Sequence, residues 1–192
     1  QHIAYDLQLQ NKVTQLQRNI NFEDIKVISD KPYNYRNRMD FIFHKKGLGF
    51  RAKGNWKKII DIENCPISDN KLNCLLTEVR EFFKTPDYFD IHKQTGTLKY
   101  AVIRIADISS ISFVLNQEST TIEETTEKIQ RFAKQTTAEN IVITYVKAKE
   151  DITVNNEFYV VKGSDQLQTT YDDKIFKYSC QGFFQNNHFM AL

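Results

Sequence analysis

Glycine, proline and cysteine are all scarce in this chain: six, three and three in 192 residues. None of the glycines forms G-x-G-x-x-G or a phosphate loop ahead of a helix, so the chain carries no recognisable nucleotide-binding or methyl-donor fold of its own. Three cysteines at irregular spacing make no disulfide framework, and a reducing cytoplasm is the expected location. His2, His44, His92 and His188 are scattered, with no pair at metal-ligand spacing. No apolar run approaches the ~20 residues of a membrane span, and no basic-plus-apolar leader opens the chain, so neither a membrane nor secretion is expected.

What is present is an ordinary globular composition, 41% hydrophobic and 26% charged, with fourteen Phe and nine Tyr to build a core. Disorder is excluded as the main state. Net charge is only +2, but residues 31–58 hold nine Lys or Arg against the single acid Asp40. A basic block on a near-neutral chain points to a polyanion as partner. The competing reading is a solvated, lysine-rich face. The first residue is Gln and the chain closes on the apolar Phe189-Met190-Ala191-Leu192; both ends are expected to be cut.

Periodicity predicts α+β organisation, with a mostly antiparallel sheet and about three helices. Leu9, Val13, Leu16 and Ile20 share one stripe of a helix over 5–20. A second helix, capped by Ser68 or Asp69, runs to about Phe83 with Leu72, Leu75, Leu76, Val79, Phe82 and Phe83 apolar. A third, opened by the capping box Thr120-x-x-Glu123, runs to about Lys134. Strands are predicted over 26–29, 34–44, 56–62, 98–105, 110–115, 141–146, 158–161 and 175–178, with a tight return at Gly47 to Gly49 into Phe50-Arg51.

The basic meander is the most informative stretch. Tyr33, Tyr35 and Trp56 interleave with Arg36, Arg38, Lys57 and Lys58. Alternation puts Arg36 and Arg38 on one sheet face, where guanidinium groups can grip phosphates or stack on unpaired bases. Alternatively, one of them pairs with Asp40 on the same face. Cys180, at a strand end, has no visible activating partner and reads as structural, as does Cys74.

These residues also resemble a known family. Tyr33-Asn34-Tyr35-Arg36-Asn37-Arg38-Met39-Asp40-Phe41, Gly47-Leu48-Gly49-Phe50-Arg51, Asp61-Ile62-Glu63-Asn64-Cys65-Pro66-Ile67, Gly96-Thr97-Leu98-Lys99-Tyr100-Ala101-Val102-Ile103-Arg104 and Phe183-Phe184-Gln185-Asn186-Asn187 follow, in order, motifs of the central domain of SAM-dependent RNA uracil-5-methyltransferases. Gln1-His2-Ile3-Ala4-Tyr5 resembles the stretch after that family's cysteine cluster. The texture is closest to archaeal members.

The resemblance implies a central RNA-recognition domain over 1–182 and the truncated start of the SAM-dependent methyltransferase domain over 183–192. An N-terminal TRAM barrel and the Rossmann-like SAM domain, with its nucleophilic Cys and general-base carboxylate, would lie outside. It further implies that Phe183 stacks on the target uridine, that Gln185 contacts S-adenosyl-L-methionine, and that Cys65 is the fourth ligand of a [4Fe–4S] cluster whose other three cysteines are missing. Cys65 is then expected to be a lone, partly exposed thiol. Arg36, Arg38, Lys45, Lys46, Arg51, Lys53, Lys57 and Lys58 are the expected RNA-binding residues. Asn186-Asn187 departs from the family, where an apolar residue often precedes the final Asn. The implied product is 5-methyluridine in tRNA or rRNA, made by a monomer, with this stretch inactive alone. A free-standing RNA-binding module and a redox protein built on Cys65 are the alternatives.

Overall fold

Apolar residues alternate with polar ones along several short segments, and these segments pair into one sheet. A computed structural model describes residues 3–191, in two units that divide between Pro32 and Tyr33. The first contains α1 (Tyr5–Ile20), which ends at Asn21 in the left-handed conformation (φ 51°) and buries no residue. The strand expected over 26–29 does not form; those residues lack regular structure. A strand needs a hydrogen-bonding neighbour, and this unit contains no other strand among its described residues.

The second unit is built on a seven-stranded sheet in the order β3-β2-β1-β4-β5-β6-β7. Its strands are β1 (Arg38–His44), β2 (Gly47–Ala52), β3 (Asn55–Asp61), β4 (Leu98–Ile105), β5 (Ser109–Asn116), β6 (Asn140–Val146) and β7 (Phe158–Lys162). Neighbours are antiparallel except β5 and β6, which α3 (Ile122–Ala133) connects as a parallel crossover. Helices α2 (Asn70–Phe82) and α3 pack on one face, closing a core around Phe41, Phe43, Phe113 and Ile143. Phe83 bridges the layers, with ring centroids 5.8 Å from Phe43, 5.4 Å from Phe113 and 5.7 Å from Phe132. The architecture is the expected α+β class with three helices.

Local chemistry explains most boundaries. The Asp69 carboxylate accepts from the Lys71 N–H at 2.7 Å, capping α2. The Thr120–Glu123 capping box is not formed. The N-cap is Thr121, which makes no side-chain cap hydrogen bond; its hydroxyl donates instead to Asp87 at 2.7 Å. Gly49 is required by close approach, since a Cβ there would lie 2.1 Å from the Ile60 carbonyl oxygen. Gly96 sits at φ +96°, and its Cβ would meet the Tyr88 carbonyl oxygen at 2.1 Å.

The opposite sheet face is covered in part by a hairpin of β8 (Gln166–Tyr171) and β9 (Lys174–Ser179). Sequence alternation missed β8, because polar Thr169 occupies one of its inward positions. That hydroxyl is satisfied by Tyr178, 2.9 Å away. Asp172 and Asp173 both adopt positive φ (44° and 62°), the turn that matches hairpin twist. Leu167 and Cys180 pack there against Val142. Burial pushes the Cys180 thiol pKa up, which fits the structural role expected for it.

Candidate nucleic-acid interface

Three segments distant in sequence converge at the start of β1. The Arg36 N–H donates to the Ile67 carbonyl at 2.8 Å, and the Arg36 carbonyl accepts from Asp69 at 2.9 Å. On its other side Arg36 bridges to Asn187, and the Asn37 N–H donates to the Asn186 carbonyl at 2.9 Å. The Asn37 side chain adds a bond to the Gln185 carbonyl at 3.1 Å. The chain around Arg36 thus lies between the Cys65 loop and residues 185–187. An open pocket of about 660 Å³ results, with Arg36, Arg38, Cys65, Phe183 and Asn186 on its walls. Phe183 is 80% exposed. An aromatic ring left this bare beside a guanidinium suits stacking on a planar, charged partner.

Arg104 holds this arrangement from below. It is only 2% exposed, on the sheet face away from the helices, directly across from Arg38. Its guanidinium donates to the carbonyls of Gly182 at 2.6 Å and Cys180 at 3.3 Å. It also lies 5.2 Å from the Tyr178 ring centroid. Burial, with Arg38 beside it, lowers its pKa to about 10, so it remains charged at neutral pH. The turn that launches Phe183 is therefore tied to the sheet by a buried cation. Phe184 stacks on Tyr178 at 4.2 Å and 4° between planes, which turns Phe183 outward.

The rest of the Gly96–Arg104 stretch anchors loops in the same way. A bulge between Leu98 and Tyr100 inserts Lys99 as an extra residue. Its ammonium donates to the carbonyls of Lys147 at 2.9 Å, Ala148 at 3.1 Å and Glu150, and burial lowers its pKa. The Tyr100 hydroxyl donates to Asp151. Burial, and then that carboxylate, push the phenol up to about 12. Sequence reasoning named these motif residues without a role. It missed Asp151 entirely, because nothing local marks a residue fifty positions away as a partner.

The basic block divides. Arg38 is held by Asp40 at 2.9 and 3.1 Å, with Thr153 donating to the same carboxylate at 3.0 Å. The Asp40 alternative raised by the sequence is thus realised for Arg38. Arg51 is held by Asp151 at 2.8 Å. Arg36, Lys45, Lys46, Lys53, Lys57 and Lys58 have no ion pair among the described residues. Nor is the block one patch. Lys45 and Lys46 sit in the β1–β2 turn, at the far end of β1 from Arg36, about 30 Å away at strand rise.

Cys65 is buried, 8% exposed, and not the partly exposed thiol expected. Its N–H donates to the Asn73 side chain at 3.0 Å, and its carbonyl accepts from the same amide at 3.1 Å. No group of three or more His, Cys, Asp or Glu able to hold a metal exists among the described residues. One thiolate does not make an iron–sulfur ligand set, so the residues present do not fit a [4Fe–4S] cluster. Gln185 is exposed within the segment that Asn37 fixes. No helix among the described residues is long and apolar enough to cross a membrane.

Comparison with known proteins finds no matching family model. A tRNA (uracil(54)-C(5))-methyltransferase of Pyrococcus abyssi is 28% identical over 199 residues, covering all of this chain and 46% of the relative. An uncharacterized RNA methyltransferase of Leptospira interrogans is 30% identical, covering 97% of this chain and 43% of the relative. The crystal structure of the Pyrococcus abyssi tRNA (uracil-54, C5)-methyltransferase with S-adenosyl-L-homocysteine superposes with a TM-score of 0.79 at 27% identity, over 99% of this chain and 47% of that one. The chain thus spans about half the length of the relatives it matches.

Proposed function

We infer that this chain, related over its whole length to RNA uracil-C5 methyltransferases, is the part of such an enzyme that grips RNA and presents the target uridine. Residues 1–182 form its central recognition domain in this reading, and 183–192 begin the methyl-transferring domain. The product is 5-methyluridine in RNA, with tRNA favoured because the named relatives act on uracil 54 of tRNA. S-adenosyl-L-methionine supplies the methyl group when bound. The enzyme works as a cytoplasmic monomer.

Arg36 has no acidic partner among the described residues and meets backbone phosphate; Lys53, Lys57 and Lys58 extend that contact. Arg38, committed to Asp40, shapes the pocket more than it neutralises phosphate. Phe183 stacks on the target base, which must leave its helix before a methyl group can reach C5. Gln185, fixed through its backbone to Asn37, reaches the methyl donor. The nucleophilic thiolate and the base that removes the C5 proton lie outside this chain, so the chain alone does not catalyse.

The observation that carries the reading is the solvent-facing Phe183 ring beside Arg36, on a turn that a buried cation anchors. The test is Phe183→Ala in the intact enzyme, followed by methyl transfer to a tRNA transcript. The expected result is a loss of ~10-fold or more in turnover, since stacking is worth ~1–3 kcal/mol. Turnover equal to the parent overturns the role of Phe183.

A further inference from the structure

A second pocket, of about 560 Å³, opens among β1, β2 and β3, the 88–94 loop and residues 148–151. It shares no lining residue with the Phe183 pocket. We propose that it receives a second, unpaired nucleotide of the bound RNA, its base stacked on Trp56 and its phosphate met by Lys57. This proposal rests on the RNA-binding reading and adds a subsite to it.

Three observations converge. Trp56 is the only tryptophan in the chain, and it stands 54% exposed at the pocket. A large indole left in water on an edge strand is unfavourable unless a partner covers it. Two cations flank it, with the Arg51 guanidinium 5.6 Å and the Lys57 ammonium 5.5 Å from the ring centroid. Ile42, Ile59 and Tyr100 supply apolar lining beyond it. Flat aromatic lining with cations close to the ring complements a planar base that carries an anion.

The pocket is also rigid on one side. Arg51 donates to the Trp56 carbonyl at 2.8 Å, to the Tyr100 hydroxyl at 3.2 Å and to Asp151. Lys99 clamps the adjoining 147–150 backbone. Preorganisation of this kind lowers the cost of ordering the site on binding. The volume lies in the range of single small-ligand sites, about 300–1,000 Å³, which admits one nucleotide and excludes a duplex. Lys53 and Lys58, on the same β2–β3 hairpin, extend positive charge past the pocket. That favours a strand over a free mononucleotide.

The sole tryptophan makes the test direct. The 192-residue chain is titrated with single-stranded hexauridylate, hexaadenylate, the corresponding nucleoside 5′-monophosphates and a duplex, following tryptophan fluorescence. Binding of dye-labelled hexamers and of a tRNA transcript to the parent, Trp56→Ala, Trp56→Phe and Arg36→Ala is followed by anisotropy, with circular dichroism to verify folding. A single-stranded hexamer is expected to change the fluorescence saturably, far more tightly than a monophosphate, with the duplex inert. Trp56→Ala is expected to weaken hexamer binding about 5- to 150-fold, the equivalent of one lost stack, while Trp56→Phe retains most of it. Unchanged fluorescence together with parental affinity in Trp56→Ala overturns the subsite and leaves the RNA reading standing. A monophosphate binding as tightly as the hexamers overturns the strand as occupant. If hexamers and tRNA all fail to bind the parent, both readings fall.

Discussion

Arg104→Met removes a buried cation while keeping most of the side-chain volume. The carbonyls of Gly182 and Cys180 lose a charged donor at 2.6 and 3.3 Å, and that of Ser179 a marginal one at 3.5 Å. Hydrogen bonds to charged groups contribute ~1.5–3 kcal/mol each, and the Tyr178 cation–π contact adds ~0.5–1 kcal/mol. Against this, methionine has no charge to desolvate, and burying one costs several kcal/mol. The two effects oppose each other, leaving a net destabilisation of ~2–4 kcal/mol. For a domain of this size that is a fall of roughly 4–15 °C in Tm. Thermal denaturation by circular dichroism measures it. Hydrogen exchange locates it, with faster exchange expected in the 179–187 amides and little change in β5 or β6. Arg104→Lys restores the charge but not the forked geometry and should recover only part of the loss. A Tm within 2 °C of the parent, or loosening spread evenly over the sheet, would refute the anchoring role.

Two further outcomes follow from the same geometry. Burial works against the ionised Glu139 carboxylate, but hydrogen bonds from Lys71 and Ser109 outweigh it and hold the pKa at about 2. A depressed carboxylate contributes stability above its ordinary value near 4.5, and that stability is lost as pH falls toward 2. Glu139→Gln should therefore lower Tm at pH 7 and converge on the parent near pH 2; a constant difference across that window contradicts it. Thiol labelling of the native chain should modify exposed Cys74 rapidly and buried Cys65 and Cys180 only on unfolding. Rapid labelling of Cys65 in the folded chain would contradict its burial.

Legibility followed the range of the interactions involved. The α2 stripe of Leu72, Leu75, Leu76 and Val79 and the strands β4, β5 and β6 were readable because continuous burial leaves a periodic signal in neighbouring residues. β8 was not, since its inward Thr169 relies on a hydroxyl partner nine residues on. The 26–29 strand was overpredicted because local β-propensity does not supply a pairing partner. The pocket residues Arg36, Arg38, Cys65 and Phe183 were all named from sequence, but their meeting was not derivable from periodicity. It depends on bridges from Arg36 to Ser68 and Asn187, which only the folded chain creates. The charges of Arg38 and Arg51 looked free in one dimension, although Asp40 was a visible candidate for the first. Asp151, across the sheet from Arg51, was not.

The most direct test of the central claim is the salt dependence of tRNA-transcript binding in the intact enzyme, compared for the parent, Arg36→Ala and Arg38→Ala. Each phosphate neutralised contributes about 0.7–0.9 to the slope of log affinity against log salt. Arg36→Ala is expected to weaken binding and reduce that slope by close to one such contribution, while Arg38→Ala, already neutralised by Asp40, changes it much less. An Arg36→Ala enzyme with the parent's affinity and slope would contradict the account.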